Sequence, residues 1–592
     1  MMKNLLGIVA LGLLSSMTLK AQQDVITPEL QWVASQDGVG VEIPKHIIAS
    51  HDKNVYLLNS FESSAKENDI MKNYSLTTDF WTYDMVNGDK TSLKTCTGVP
   101  DELSANGSPN FTLYKVDAQG KLLWTVQSNS GDFAGGGVMA ATPDDGVVLF
   151  LKMRHSSRGT YTPDILCRLI DDQGTETVVN WQVPDSEKFG WVYQPVIVKI
   201  NATGQVEWAK HVPVEYKVVE IDGTSRIYNN NVEVHGAVCD EAGNIYLGGS
   251  FRTSINFGEK ANFTNPRNVD GWDGDSQKVR GDLYVVKLDP QGNAIWGART
   301  SGDPIVCESL KGMTYADGKL YISGYMKGNG KNIVKMGNSQ LVPGDRDAQF
   351  IGSLSAEDGK FFWGNVYNII INKKAPKPRT KPMCIVVDGD DIYTSGSFTG
   401  TIVDGKDASK VLLTCEDKNL NAYIMKSSAV DGSFKCGAMI SPAISEIQSI
   451  HVLENNVLAS GYNLYNSSFL FDFDKQLSSA SLKQNVIKNC NFGVTIGSAL
   501  VDDMLVSATR GKNSITFPGV DWAITPVEYD GRNNWACIFT GHKLNGMATG
   551  IEDVEAAPEQ HQPQVIYDLS GRRVAKATKG LYIINGKKVF VR

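Results

Sequence analysis

Short runs of alternating apolar and polar residues, separated by Asp, Asn and Gly, are clearest between His235 and Ser301, which read HGAVCDEAGNIYLGGSF, a polar insert, then GDLYVVKLDPQGNAIWGARTS. Four runs there have β-type composition, at 236–239, 244–251, 282–288 and 294–300. Two of the connections, DEAG at 240–243 and DPQG at 289–292, carry Asp early and Gly late, as tight turns between antiparallel strands require. The pattern predicts a four-stranded antiparallel sheet. A sheet this small cannot bury both faces alone, so repeated copies must stack on one another.

The pattern does repeat. The second strand recurs at 54–61 (NVYLLNSF), 147–154 (VVLFLKMR), 244–251 (NIYLGGSF), 319–326 (KLYISGYM), 391–398 (DIYTSGSF), 456–463 (NVLASGYN) and 503–510 (DMLVSATR). The third strand recurs at 111–120, 196–204, 282–292, 349–359, 422–432, 468–474 and 536–546. The second-strand copies start 93, 97, 75, 72, 65 and 47 residues apart, longer than the ~40 to 50 residues of a compact four-stranded blade, so the repeats carry inserts. After the third-strand turn, Trp124, Trp208, Trp296 and Trp363 recur at one fourth-strand position and are expected to fill the gap between neighbouring sheets. Residues 30–34 (LQWVA) resemble the fourth strand AIWGA at 294–298, yet no repeat precedes them. A ring whose last sheet is completed by the first residues of the chain accounts for this orphan, because closure removes a naked edge. The fold class expected is all-β, a β-propeller of about seven four-stranded blades, with six or eight also fitting the weaker last repeats.

These copies resemble a bacterial β-propeller repeat family of approximate pattern D-x-x-G-N-x-Y-x-x-G-S-F, followed by K-x-D-x-x-G and then W. The third copy carries it through Asp240, Gly243, Asn244, Tyr246, Gly249, Ser250, Phe251, Lys287, Asp289, Gly292 and Trp296. The resemblance spans residues 30–550 and implies architecture rather than activity, since propellers host unrelated functions.

The ends of the chain read differently. Residues 1–21 hold an early Lys, an apolar run from Leu5 to Leu14 and small residues up to Ala21, the make-up of a secretory signal peptide cut before Gln22. No later segment reaches membrane-spanning length. Residues 22–550 are assigned to the propeller, and 551–563, rich in Glu, Ala, Pro and Gln, to a linker. Residues 564–592 read as three short strands with a hairpin signal at Asn585-Gly586. This tail resembles the C-terminal sorting domains of type IX secretion cargo through Tyr567, Asp568, Gly571, Arg572, Lys579, Gly580, Tyr582, Ile583, Lys587 and Lys588. It is shorter than the usual domain. The resemblance implies export to the cell surface, the outer membrane or the medium, with a secretion apparatus as partner reading the tail by strand addition.

Composition changes this picture little. A formal net charge of −8 over 592 residues argues against nucleic acid as partner. Nine scattered cysteines without a C-x-x-C pair suggest separate thiols rather than a disulfide framework. G-x-S-x-G, H-E-x-x-H, Walker and dinucleotide motifs are absent, so no catalytic residue or organic cofactor is assigned. His235 and His451 fall at the start of first strands and read as structural. Two inserts carry candidate chemistry. NVDGWDGDSQ at 268–277 places Asp270, Asp273 and Asp275 where they could wrap a calcium ion, though not at EF-hand spacing. NKKAPKPRTKP at 372–382 places Lys373, Lys374, Lys377, Arg379 and Lys381 as a candidate anion-binding loop. The function expected is binding of a glycan, peptide or partner protein on a face built by the long inserts; the alternative is a polysaccharide lyase or glycoside hydrolase with acids at the channel.

Overall fold

The computed structural model describes residues 26–38, 40–63, 76–98, 110–130, 132–156, 165–181, 191–215, 217–221, 224–228, 232–265, 281–302, 307–372, 379–440, 445–463, 467–478, 483–490, 493–529, 532–533, 535–546, 566–568, 573–574, 579–584 and 587–591. Among these there is no helix, and hence none long and apolar enough to cross a membrane. Residues 28–544 form one compact unit, and the residues from Asn545 onward belong to another.

The larger unit is a seven-bladed β-propeller. Its innermost strands are Gly40–Ala49, Asp132–Ala141, Val232–Cys239, Cys307–Ala316, Arg379–Asp388, Ser445–Val452 and Val494–Val501. Outward from these stand the second strands Asn54–Ser63, Val147–Ser156, Ile245–Phe251, Lys319–Lys327, Asp391–Asp404, Asn456–Asn463 and Met504–Gly511. Third strands are Asn110–Asp117, Trp191–Ile200, Asp282–Leu288, Ala348–Ser355, Asn421–Ser428, Ser467–Asp474 and Ala536–Asn545. Leu122–Ser130, Val206–His211, Ala294–Arg299, Phe361–Ile370, Phe434–Met439 and Lys483–Cys490 are the fourth strands of blades one to six. Each innermost strand lies against those of both neighbouring blades, and the seventh lies against the first. The fourth strand of blade seven is Thr27–Gly38, the N-terminal segment, placed beside Ala536–Asn545. The orphan strand of the sequence thus closes the ring.

The apolar core is a set of slabs between blades rather than one centre. One slab joins Tyr56, Phe111 and Trp124 of blade one to Leu149 and Val198 of blade two, and another joins Tyr246 and Trp296 of blade three to Leu320 and Phe350 of blade four. Second and third strands are therefore covered on both faces, and Ile245–Phe251 is buried at every position. Polar side chains on these strands must find partners. Lys115 bonds Asp52 at 2.7 Å, Lys199 bonds Asp144 at 2.8 Å and Lys426 bonds Asp391 at 2.7 Å, each lysine reaching the tight turns at one face.

The repeated tryptophans lock four of the seven blades to the next. Trp32 donates its indole N–H to the Ala118 carbonyl at 2.8 Å, Trp124 to Ala202 at 2.9 Å, Trp208 to Pro290 at 3.2 Å and Trp296 to Ala356 at 3.2 Å. Every acceptor sits in the third-to-fourth strand turn of the following blade. The turn glycine beside it has two duties. Gly292 and Gly359 have φ of 76° and 73°, and a Cβ on either would come within 2.7 Å of Trp208 or Trp296. Trp296→Ala should accordingly remove an inter-blade plug at a cost of about 3 to 5 kcal/mol; an unchanged thermal midpoint for this variant would contradict the packing.

The inserts have a use the sequence did not disclose. Hairpin Leu76–Tyr83/Lys90–Gly98, from blade one, pairs with the outer strand Thr27–Gly38 of blade seven. Hairpin Ile165–Ile170/Glu176–Asn180, from blade two, pairs with the outer strand of blade one. The far half of Asp391–Asp404, with Val411–Cys415, extends blade five onto the outer strand of blade four, and Ile515–Thr516/Ala523–Ile524 extends blade seven onto blade six. Each of these four inserts reaches back and covers the preceding blade's outer edge, where unpaired N–H and C=O groups would otherwise template aggregation.

In the C-terminal unit, Ile566–Tyr567, Arg573–Val574, Gly580–Ile584 and Lys587–Val591 form one antiparallel sheet with Lys587–Val591 at an edge. Four strands are present where the punctuation suggested three, because Arg573–Val574 is too short to show periodicity. Cys96, Cys167, Cys239, Cys384, Cys415, Cys436 and Cys537 are free thiols.

Candidate functional site in the central channel

Radial sheets turn only the edges of their innermost strands toward the axis, so side chains alternate toward neighbouring blades and not into the channel. A β-bulge breaks that rule by leaving one residue unpaired and redirecting it. All seven innermost strands carry one, at 44/46, 133/136, 234/236, 310/312, 382/384, 447/449 and 495/497. The residues skipped by the ladder include Lys45, His235, Lys311, Met383, Gln448 and Ile496, and all six line a cavity of about 810 Å³ on the axis. A small residue follows the bulge in several blades. Gly236 and Gly312 are examples, and a Cβ there would come within 2.9 Å of Met313 or 3.0 Å of Ile385 on the next blade.

Every blade contributes to the wall. Lys45 and His46 come from blade one, Gly136 to Val138 from blade two, His235 from blade three, Lys311, Met313 and Tyr325 from blade four, Lys381 to Val386 from blade five, Gln448 and His451 from blade six, and Ser498 from blade seven. The lining holds three lysines and no carboxylate. Innermost strands begin, and second strands end, on the face that carries the inserts; the opposite face carries the tight turns.

The polar groups form two networks. In the first, Lys311 Nζ stands 3.2 Å from His235 Nε2, Glu233 lies 3.6 Å from the same nitrogen, and Lys152 bonds Glu233 at 3.3 Å while sitting over the Tyr193 ring. Burial, then the charge of Lys311, pushes the His235 imidazole down to about 4, so it is neutral at pH 7 and accepts from the ammonium. In the second, Glu446 bonds Lys381 at 2.9 Å and accepts from the Tyr462 hydroxyl at 2.9 Å and the Gln448 amide at 3.2 Å. The other lining histidines work between blades. His46 Nδ1 accepts from the Met139 backbone N–H at 3.1 Å, and His451 Nε2 meets the Ser498 hydroxyl at 2.8 Å; burial holds both imidazoles down to about 4.

No protein-family model matches the chain, nor does any curated protein. Solved structures align to it along most of its length at low identity. The propeller of Dos1 is 10% identical with a TM-score of 0.35, covering 88% of this chain and 96% of its own. The phage phi92 endosialidase is 10% identical with a TM-score of 0.29, covering 93% of this chain and 75% of its own. A putative 6-phosphogluconolactonase from Bacteroides uniformis is 11% identical with a TM-score of 0.27, covering 77% of this chain and 95% of its own. The fold assignment rests on the strand order and ring closure of this chain itself.

The sites anticipated from sequence fare differently. Asp270, Asp273 and Asp275 lie outside the described residues, as do Lys373, Lys374 and Lys377. Among the described residues no group of three or more His, Cys, Asp or Glu is placed to hold a metal ion. Arg379 is exposed at the start of the innermost strand of blade five, and Lys381 belongs to that strand, facing the channel rather than sitting in a loop. His235 and His451 are not at strand starts: Val232–Cys239 and Ser445–Val452 begin earlier, which puts His235 at the bulge and His451 near the far end. In the tail, Tyr567 pairs with Ile583, Tyr582 with Val589, Gly580 with Val591, Lys587 with Ile584 and Lys588 with Ile583. Asp568 follows the first strand, and Gly571 and Arg572 lie outside the described residues.

Proposed function

We propose that this chain is an exported binding module whose ligand enters the central channel from the insert-bearing face, and that its C-terminal tail delivers it to the cell surface or beyond. The observation that carries the reading is the axial cavity of about 810 Å³, walled by all seven blades and lined by polar and apolar groups together, as ligand sites are. Glycoside hydrolysis with two carboxylates about 5 to 10 Å apart finds no pair in this lining. Glu233 and Glu446, two residues before the bulge in their strands, are both engaged in ion pairs. Four of the inserts serve as edge covers, and the channel mouth offers a separate place for recognition. For delivery, support comes from Lys587–Val591, which is an edge strand of its sheet among the described residues, a position that suits capture by strand addition.

The test uses the secreted form from Gln22 on glycan and peptide arrays alongside a reducing-sugar assay, with surface localisation compared for the full chain and a chain lacking residues 564–592. Expected are retention of an array ligand without release of reducing ends, and surface display lost with the tail. Release of reducing ends would put the enzyme reading in place of binding, and normal display of the shortened chain would remove the delivery role.

A further inference from the structure

We propose that the outer strand of blade five, Phe434–Met439, is a docking edge, and that its occupant is the same strand of a second copy of this chain, paired antiparallel about a two-fold axis. The place is singled out by how the other outer strands are treated. Four are covered by the next blade's insert. Two more inserts bond to the segment that continues an outer strand. Asn256, in hairpin Ser254–Asn256/Asn262–Thr264 of blade three, donates its N–H to the Pro213 carbonyl at 2.9 Å, just beyond Val206–His211 of blade two. Val334–Met336 of blade four pairs with Ser301–Gly302, just beyond Ala294–Arg299 of blade three. Blade six supplies no such insert, because only residues 464–466 join its second strand Asn456–Asn463 to its third, Ser467–Asp474. Among the described residues, Phe434–Met439 is therefore the outer strand that receives nothing from the following blade, and it pairs on one side only.

The open side is equipped to pair. Ile440 donates its N–H inward to the Ala422 carbonyl at 2.8 Å, so the alternation of an antiparallel strand turns the N–H and C=O groups of Gly437 and Met439 outward. A lysine on an edge ordinarily repels a second strand. Here Lys435 is folded back onto its own blade, its Nζ bonded to Asp391 at 2.5 Å and to the Asp390 carbonyl at 3.0 Å. Pairing the strand with itself about Gly437 sets Lys435 opposite Met439 and Cys436 opposite Ala438, so no like charges face one another. Gly437 meets its own counterpart, which puts no side chain at the axis. The same contact decides the form of the assembly. A two-fold pairing occupies the strand of both copies, so it closes at two and does not propagate into a fibre. One strand per copy is a contact at the low end of interface size, so the dimer is reversible and depends on concentration.

Sedimentation equilibrium of the full chain tests the proposal. The weight-average mass should rise toward that of a dimer as concentration increases. Gly437→Pro removes an outward N–H that blade five does not use, and should raise the dimer Kd by about tenfold or more at an unchanged thermal midpoint. Gly437→Cys gives a second readout should the proline variant fail to fold. Facing Cα atoms in such a pair stand about 5.5 Å apart, within disulfide reach, so oxidised glutathione should link this variant into a dimer on a non-reducing gel. The unsubstituted chain should run as a monomer on the same gel, since Cys436 donates its thiol to the Gln476 carbonyl at 3.3 Å and faces Ala438 across the axis. A monomer at every concentration, a dimer that a folded Gly437→Pro leaves intact, or a Gly437→Cys variant that does not cross-link would each overturn the docking edge, and none of them bears on the channel.

Discussion

A chain truncated to begin at Gly40, and so lacking the closing strand Thr27–Gly38, is expected to lose its cooperative unfolding transition. That strand buries Trp32, Val33, Ala34, Ser35 and Gln36. It also ties blade seven to blade one through Trp32 to the Ala118 carbonyl and through the Thr112 hydroxyl to Gln36 at 2.8 Å. Hairpin Leu76–Tyr83/Lys90–Gly98 is built on it and would lose its support. Burying each large apolar side chain contributes about 1.5 to 3 kcal/mol, so the strand and its dependants account for about 5 to 10 kcal/mol, comparable to the whole stability of a domain. A synthetic peptide of residues 27–38 added in trans should restore the transition. If the truncated chain unfolds in urea at the wild-type midpoint, the ring is not held shut in this way.

Mild acid should destabilise the propeller steeply. Burial pushes the imidazoles of His46, His211, His235 and His451 down to about 4, from an ordinary value of 6.5. Between those limits the unfolded chain binds protons that the folded chain refuses, so stability is fully present above pH 6.5 and is lost as pH falls toward 4. Asp37 opposes this. Burial pushes its carboxyl up to about 6 from 3.8, so over most of the same window the folded state holds a proton that the unfolded state has released. Four imidazoles are pushed this way against this one carboxyl, so their effect is the larger of the two and stability falls toward pH 5. Urea midpoints at pH 7, 6 and 5 read it directly, and Asp37→Asn should steepen the profile while stabilising the protein at pH 7. A flat profile from pH 7 to 5 would mean that these imidazoles are not enclosed as described.

The parts of the fold legible in the sequence are those whose physics is local or repeated. The seven second strands and seven third strands announce themselves because Asp, Asn and Gly must stand at the turns, and Trp296 and its equivalents because each must meet the next blade's turn. The orphan LQWVA pointed to closure for the same reason: a fourth-strand motif without a blade needs a partner elsewhere. What stayed hidden depends on juxtaposition across blades. Innermost strands are poorly patterned, since the bulge shifts their alternation by one residue and Gly236 or Gly312 holds a place where an apolar residue would have marked a strand. Lys45, His235 and Lys311 are therefore scattered polar residues in the sequence and neighbours only on the ring. A signal was available in the pairs His235-Gly236, Lys311-Gly312 and Gln448-Ser449, a larger residue before a small one at one place in successive repeats. Likewise, nothing within hairpin Ile165–Ile170/Glu176–Asn180 says that its partner is the outer strand of the preceding blade.

Ring closure by Thr27–Gly38 has a consequence for synthesis. The segment leaves the ribosome about 500 residues ahead of its partner Ala536–Asn545, which at ~5 to 20 residues per second is a wait of about 25 to 100 s. During that interval the stretch has only hairpin Leu76–Tyr83/Lys90–Gly98 to pair with, and its other edge stays open until the last blade emerges.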